Sequence, residues 1–482
     1  MVRSIVIICR NWYKNHEYLY KVYMANPTII LSNMAYLTGL APISLKKIRK
    51  FLTIENPLFR QGLNLGLANW GVPRDITYYK EPDDNDAGSL TAPIGALNEI
   101  LLIIQEDGEV SLSDITDNRY TRDLSDYFDK VQFTPTLRDY QQDMVDACAN
   151  KTVGVLEAMT GAGKTIFALA LILKMKQSTI FLVNTLELAQ QTINAFIKFT
   201  NLTVDDIGFI GDGQFSVKPI TVALHQTMAR LSEKQFGLLN KNVGMVIADE
   251  VHIVAASTYY HTMTSLKAKY KWGISATPKR DDGLTKVIFL ATGPKIHTVP
   301  KEKFKNILIT PEYKPIETTY TFPLIQSQDY QEMIADLSID KIRNELICDT
   351  AKKYTDKMLV FLCLRISQVE HLTKELGDDA VMLTSKMSKK ERKARMAQLV
   401  SGKKRIVVST YGLFSTGIDI PKLEVLFMCA PMRSEVKLRQ SAGRLMRKAE
   451  GKTSASIIDF VDRQVGLLAA QARKRANVLK KL

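Results

Sequence analysis

Val153-Gly154-Val155-Leu156-Glu157 runs directly into Ala158-Met159-Thr160-Gly161-Ala162-Gly163-Lys164-Thr165, an apolar strand followed by a glycine-rich turn that opens a helix. Glycines in such a turn let successive backbone N–H groups close around phosphate oxygens, and the helix N-terminus adds partial positive charge. Thr160, Gly161, Ala162 and Gly163 form the cradle, Lys164 is placed to pair with β- and γ-phosphates, and Thr165 to ligate magnesium. Ala158 stands where the general phosphate-loop pattern has its first glycine, so the reading rests on the strand-to-helix context.

Outward from this turn, Thr179–Val183, Ile220–Leu224 and Val243–Ala248 read as strands, with Thr165–Lys174 and Leu186–Ile197 as helices. That alternation is the signature of βαβ units and a parallel sheet. A second alternation runs from Lys357 to Phe460, with strands expected at Met358–Cys363, Arg405–Thr410, Val425–Cys429 and Ser456–Phe460. The apolar Met245–Ala248 delivers Asp249-Glu250-Val251-His252 at its carboxyl end, where ligands bind in open parallel sheets. Asp249 is placed to hold magnesium and Glu250 to orient or deprotonate an attacking water, the division of labour that phosphoanhydride hydrolysis requires.

The 482 residues suggest about three domains. An apolar share of 46% and a charged share of 24% exclude wholesale disorder and a fibrous chain. The net charge of +15 favours a polyanionic partner. The five cysteines lie far apart, without a C-x-x-C pair, so neither a disulfide framework nor a zinc site is expected. No apolar run approaches the roughly 18–20 residues that span a bilayer, so an intracellular location and no membrane partner are expected. Before residue 130 the pattern changes. Ser44 is expected to cap a helix with Leu45, Ile48, Phe51 and Leu52 on its apolar side. The apolar run ending at Gln105, the Glu106-Asp107-Gly108 turn and the Val110/Leu112 alternation suggest a hairpin.

From about Thr134 to Asp462 the motifs, in their order, resemble those of superfamily 2 helicases of the D-E-x-H type. The resemblance implies an α/β fold of two tandem RecA-like parallel-sheet domains, with a small N-terminal α+β domain: residues 1–130 for binding duplex DNA, 131–300 for the first RecA-like domain and 301–482 for the second. It also implies ATP and Mg2+ as cofactors. Leu137-Arg138-Asp139-Tyr140-Gln141 is similar to the family's adenine-reading element, with Arg138 and Gln141 on the nucleotide. Thr185 and Gln191, then Gln226 and Thr227 of His225-Gln226-Thr227, resemble strand-contacting motifs. His252, together with Ser275 and Thr277 of Ser275-Ala276-Thr277-Pro278, resembles the element that couples hydrolysis to strand movement, and Arg280-Asp281-Asp282-Gly283 follows it. Thr410, Gly417 and Asp419 match the T-x-x-x-x-x-x-G-x-D motif, which touches nucleic acid and the nucleotide pocket. Gln440-Ser441-Ala442-Gly443-Arg444-Leu445-Met446-Arg447 matches Q-x-x-G-R-x-x-R. The resemblance makes Gln440, Arg444 and Arg447 catalytic alongside Lys164, Asp249 and Glu250; the two arginines, three residues apart, share a face of a helix.

Within the superfamily, the Ser275–Gly283 string, Gly293-Pro294 and Ser409–Gly417 look closest to phage UvsW-type branch-specific DNA helicases; Ala68-Asn69-Trp70-Gly71 and Gly88–Gly95 resemble that group's N-terminal domain. This implies a DNA partner that is branched or forked duplex, action beside unidentified recombination or replication proteins, and the host cytoplasm if the chain is phage-encoded. Basic residues between Lys386 and Arg405, and Arg473, Lys474, Arg475, Lys480 and Lys481 of the tail, read as a phosphate track. A restriction-type translocase acting with a partner, an RNA helicase, and an ATP-gated sensor of nucleic-acid structure remain the alternatives.

Overall fold

The computed structural model describes residues 27–64, 66, 71–81, 88–108, 115–304, 307–323, 329–417 and 420–481. The N-terminal strands are β1 (Thr28–Leu31), β2 (Ala35–Thr38), β3 (Thr53–Glu55), β4 (Asp75–Thr77), β5 (Leu90–Ala92) and β6 (Ile115–Asp117). They are followed by β7 (Val153–Glu157), β8 (Thr179–Val183), β9 (Ile207–Gly211), β10 (Gln214–Phe215), β11 (Ile220–Leu224), β12 (Met245–Asp249), β13 (Tyr270–Ser275) and β14 (Lys295–Thr298). The C-terminal strands are β15 (Glu312–Glu317), β16 (Leu359–Cys363), β17 (Ala380–Leu383), β18 (Ile406–Thr410), β19 (Val425–Met428) and β20 (Ser456–Val461). They form a sheet β5-β2-β1-β6, a large sheet β10-β9-β11-β8-β12-β13-β7-β14, a third sheet β15-β20-β19-β16-β18-β17, and the hairpin β3-β4.

The third sheet is parallel throughout, and the large one is parallel except for the antiparallel edge pair β10/β9. Parallel strands covered by helices on both faces need continuous apolar runs. Thr179-Ile-Phe-Leu-Val183 and Leu359-Val-Phe-Leu-Cys363 supply them, with all five residues of each buried. The chain divides into two compact units. One extends through Glu157 and resumes from Thr165 to Thr298; the other takes Val299–Leu482 together with Ala158–Lys164.

In the first unit the N-terminal sheet shares one hydrophobic core with Ala256, Val287 and Leu290 of the large-sheet region. The seam also carries polar contacts. Tyr260 donates to the Tyr78 carbonyl at 3.2 Å, and its ring meets that of Tyr78 edge-on at 4.9 Å. The Lys286 ammonium donates to the Phe51 carbonyl and lies 4.2 Å from the Phe51 ring centre. Gly95 fits most tightly: a Cβ there would stand 2.3 Å from the Phe289 carbonyl oxygen and 2.5 Å from both Gly293 N and Leu290 O, all of them backbone atoms unable to swing away. Gly95→Ala is therefore expected to cost about 1–3 kcal/mol, as overpacking does. Chemical denaturation measures it, and a wild-type midpoint would refute the close seat.

Two N-terminal expectations are corrected. The helix Pro42–Phe51 starts two residues before Ser44, with Pro42 at its first turn, and the Ser44 hydroxyl instead donates to Asp107 Oδ2 at 2.7 Å. The run before Gln105 is the helix Leu97–Glu106, which buries Ile100 and Ile104 four residues apart, so it is no hairpin arm. Val110 and Leu112 lie outside the described residues.

In the second unit the Arg343 guanidinium is buried against Asp462, at 2.8 Å and with exposures of 0% and 2%. Arg475, expected on the surface with the other tail cations, is 3% exposed and pairs with Asp459 at 2.9 Å. The reason is its register in the helix Gly466–Leu479, whose buried stripe runs Leu468, Gln471, Ala472, Arg475, Leu479. Ser388 and Glu391 close a capping box at the start of the basic helix Lys389–Val400. Arg405 is held by Asp379 at 2.6 Å.

Candidate functional site

Three parallel strands of the first unit end side by side. Asp249, at the end of β12, stands opposite Ile274 of β13, and the next residue, Ser275, stands opposite Glu157, the last residue of β7 before the phosphate-loop stretch. In that stretch Gly161 and Gly163 take φ +89° and +74°, the left-handed region where a side chain strains the backbone. The helix Lys164–Met175 follows, with Lys164 and Thr165 half-buried. Glycines in that conformation followed by an ammonium fit phosphate oxygens; in the first unit, the Thr165 hydroxyl and the half-buried Asp249 carboxylate are oxygen donors of the kind that fit a hard divalent cation.

Glu250 is one of three described non-glycine residues with positive φ, at +49°. Such a conformation costs about 1–3 kcal/mol and persists where the surroundings impose it, commonly at functional sites. Its N–H donates to Asp249 Oδ1 at 3.0 Å, and its Oε2 lies 3.5 Å from His252 Nδ1. The same His252 nitrogen shares a 2.6 Å hydrogen bond with Ser275 Oγ, which also accepts the Thr277 N–H at 3.0 Å. Carboxylate, imidazole, hydroxyl and loop amide thus form one chain of contacts from β12 to the segment after β13. Arg280, 8% exposed, extends it. Its guanidinium donates to the carbonyls of His252 and Val254 while its Nε holds Asp282 Oδ1 at 3.0 Å. In the sequence Arg280 has no distinct role: it follows the coupling element among other charged residues, Lys279, Asp281 and Asp282, and nothing local marks it as the buried one.

In the second unit, Gly443 lies so near the phosphate-loop stretch that a Cβ on it would stand 2.8 Å from the Cβ of Thr160. A Cβ on Gly161 would stand 3.8 Å from Cγ of Arg447 and 3.3 Å from Leu308. Gln440 is buried, and Arg444 and Arg447 are half-buried around the end of the helix Glu435–Leu445.

Two family models match the chain: "Type III restriction enzyme, res subunit" over residues 134–280 and "Helicase conserved C-terminal domain" over 338–449, together more than half of it. The chain belongs to the superfamily 2 helicases. Its two parallel-sheet cores are the tandem helicase domains, preceded by a small N-terminal domain, and the family implies ATP use. The helicase is 28% identical over 375 residues to a chain of Acanthamoeba polyphaga mimivirus with the provisional name ATP-dependent RNA helicase L396, covering 74% of this chain and 71% of that one. It is 27% identical over 345 residues to the DNA 3'-5' helicase XPB of Kineococcus radiotolerans, covering 68% of this chain and 60% of that one, so it spans under two thirds of the XPB relative. T4 UvsW superposes over 93% of this chain and 96% of that one at 18% identity, with a TM-score of 0.42. Among the described residues of the helicase no helix is long and apolar enough to cross a membrane.

The other expected contact residues of the helicase lie on helices and at strand ends of both units. Thr185 caps the helix Leu186–Lys198, accepting from Leu188 N at 3.2 Å, and Gln191 is exposed on that helix. Gln226 is exposed and Thr227 half-buried beside His225, whose ring is buried with neither nitrogen partnered. Desolvation pushes the His225 pKa down to about 3, so it is neutral. Gln141 is 2% exposed; its Oε1 accepts the Arg138 N–H at 3.0 Å, while the Arg138 side chain reaches Tyr140 at 2.9 Å. Thr410 ends β18 and Gly417 ends the helix Tyr411–Gly417; Asp419 lies outside the described residues, as do Ala68, Asn69 and Trp70.

Proposed function

We propose that the helicase couples ATP hydrolysis to movement along DNA and remodels branched duplexes: forks, Holliday junctions and R-loops. The unbroken contact chain Glu250–His252–Ser275–Thr277 carries this reading, because it ties the hydrolytic carboxylate to the segment that reports to the rest of the first unit. Bound ATP with Mg2+ supplies the phosphoanhydride whose cleavage drives the cycle. Thr160, Gly161, Ala162, Gly163 and Lys164 hold its phosphates, Arg138 and Gln141 its base, and Thr165 and Asp249 the cation. Glu250 positions and deprotonates the attacking water. Arg444 and Arg447, with Gln440 beside them, neutralise charge developing on the transferred phosphoryl group, assisted by Gly417 and Asp419. Thr185, Gln191, Gln226, Thr227 and Thr410 touch the nucleic-acid strand.

DNA as the polymer is supported by the XPB relative and by the net charge of +15. Branch migration suits such a motor, since each base pair melted is replaced by one formed, and the stacking cost of about 1.4 kcal/mol per step nearly cancels. The mimivirus relative favours an RNA helicase as the second reading, and the restriction-enzyme family model a duplex translocase working with a partner subunit. ATP hydrolysis and strand pairing measured together on a movable Holliday junction, a fork, a tailed DNA duplex and a tailed RNA duplex separate the three. Preferential processing of branched DNA is expected; stimulation by RNA alone, or hydrolysis with all strands still paired, would overturn it. In the same assay Ser275→Ala is expected to leave nucleic-acid-stimulated hydrolysis within a few-fold. Strand exchange per ATP should fall roughly 5- to 150-fold, the range of a 1–3 kcal/mol coupling. Parallel loss of both activities would place Ser275 in the hydrolytic machinery.

A further inference from the structure

A cavity of 510 Å3 opens in the second unit between the helices Glu435–Leu445 and Gly466–Leu479. Its walls are largely aliphatic, from Met432, Leu438, Leu467 and Val478; the exposed Arg433 and Lys474 also line it, and the one lining carboxylate, Glu435, is paired with Arg439 at 3.0 Å. Gln471 lines it at 8% exposure, and neither its Oε1 nor its Nε2 has a hydrogen-bond partner. One guanidinium nitrogen of the lining Arg475, Nη1, is likewise buried and unpartnered, while its other nitrogens hold Asp459. Buried polar atoms left without partners are rare and costly, and one cause is an absent ligand. Leu438 and Gln440 are two residues apart, about 200° around their helix, so the cavity lies behind the face that carries Gln440. Apart from Lys474 and Arg475, read above with the basic tail, its lining carries none of the roles assigned above.

We propose that this cavity binds an acidic peptide segment of a partner protein through one apolar anchor side chain. The aliphatic walls take the anchor. A carboxamide offers both a donor and an acceptor, which a backbone peptide group beside the anchor matches, and flanking carboxylates meet Arg433 and Lys474. The volume lies within the roughly 300–1,000 Å3 of ligand sites. A nucleic-acid strand matches only these two cations: its bases stack on aromatic faces, and the walls here are largely aliphatic.

The test uses the full chain and a short fluorescein-labelled peptide with one phenylalanine among aspartates, read by anisotropy. Two control peptides replace the phenylalanine by serine or the aspartates by asparagine. Saturable binding is expected, weakened by about tenfold or more, the loss of some 1.4 kcal/mol, in each control and in Ala470→Trp, which fills the cavity, and Gln471→Leu, with ATP hydrolysis unchanged. Absence of saturable binding, or equal binding by both variants, would overturn the proposal. So would displacement of the peptide by a short oligonucleotide whose own binding falls in Ala470→Trp, since that assigns the cavity to phosphates. If Ala470→Trp loses hydrolysis through misfolding, Gln471→Leu decides alone.

Discussion

Glu250→Gln is expected to lower ATP turnover by about a hundredfold to ten-thousandfold, the contribution of a positioned general base, while nucleic-acid binding stays near wild type. The substitution keeps the shape of the side chain and one acceptor oxygen, exchanges the other for a donor amide, and removes its basicity. It therefore leaves the neighbouring His252, 3.5 Å away, and the folded backbone at φ +49° with a fitting partner. Lys164→Ala should abolish turnover by a different route, through weakened phosphate binding, and it should raise the ATP concentration needed in any residual reaction. Steady-state hydrolysis with filter binding to a forked duplex reads both. Loss of nucleic-acid binding in the two variants together would refute the assignment of the pocket, because neither side chain is given a nucleic-acid contact.

Asp462→Asn should destabilise the second unit by about 3–5 kcal/mol, because it leaves the Arg343 guanidinium, 0% exposed, without its counter-charge. Against a typical domain stability of about 5–15 kcal/mol, that is enough to threaten folding. The geometry explains the size of the effect. Asp462 also accepts from Thr318 at 2.6 Å, and Arg343 donates to the Cys429 carbonyl, so one carboxylate organises the ends of β15, β19 and β20. Replacing both partners with apolar residues, Arg343→Met with Asp462→Leu, should recover much of the loss. Denaturant midpoints of the single and double variants decide; an unchanged midpoint in Asp462→Asn would mean that the pair contributes nothing.

Most of the central strands of both parallel sheets were legible because they are short and largely apolar, and several end in residues with chemistry to do: Glu157 before the loop, Asp249 before Glu250, Thr410 before its helix; the more polar Lys295–Thr298 and Glu312–Glu317 and the short Ala380–Leu383 were not. Tyr270–Ser275 was not read as a strand, since Lys271 interrupts its apolar run; that lysine is buried and its ammonium donates to the Met263 carbonyl at 2.7 Å. Leu97–Glu106 misled in the opposite sense: five consecutive apolar residues, Ile100–Ile104, read as well as a strand as a helix. Long-range partners left no local trace. Nothing near Arg343 or Arg475 announces Asp462 or Asp459, and nothing near Gly95 announces the backbone of residues 289–293.

The seat of Gly95 bears on how such chains can be recombined. An N-terminal domain joined by a linker can be exchanged between relatives like a fitting, but here the boundary is a cast joint: Val287 and Leu290 complete its core, and the Phe289 and Leu290 carbonyls leave no room for a β-carbon. A transplant cut near residue 130 would strip apolar surface from both pieces. A viable chimera has to carry Ala256–Ser265 and Thr285–Gly293 along with the N-terminal sheet, which makes this region a single inherited block despite its distance in sequence.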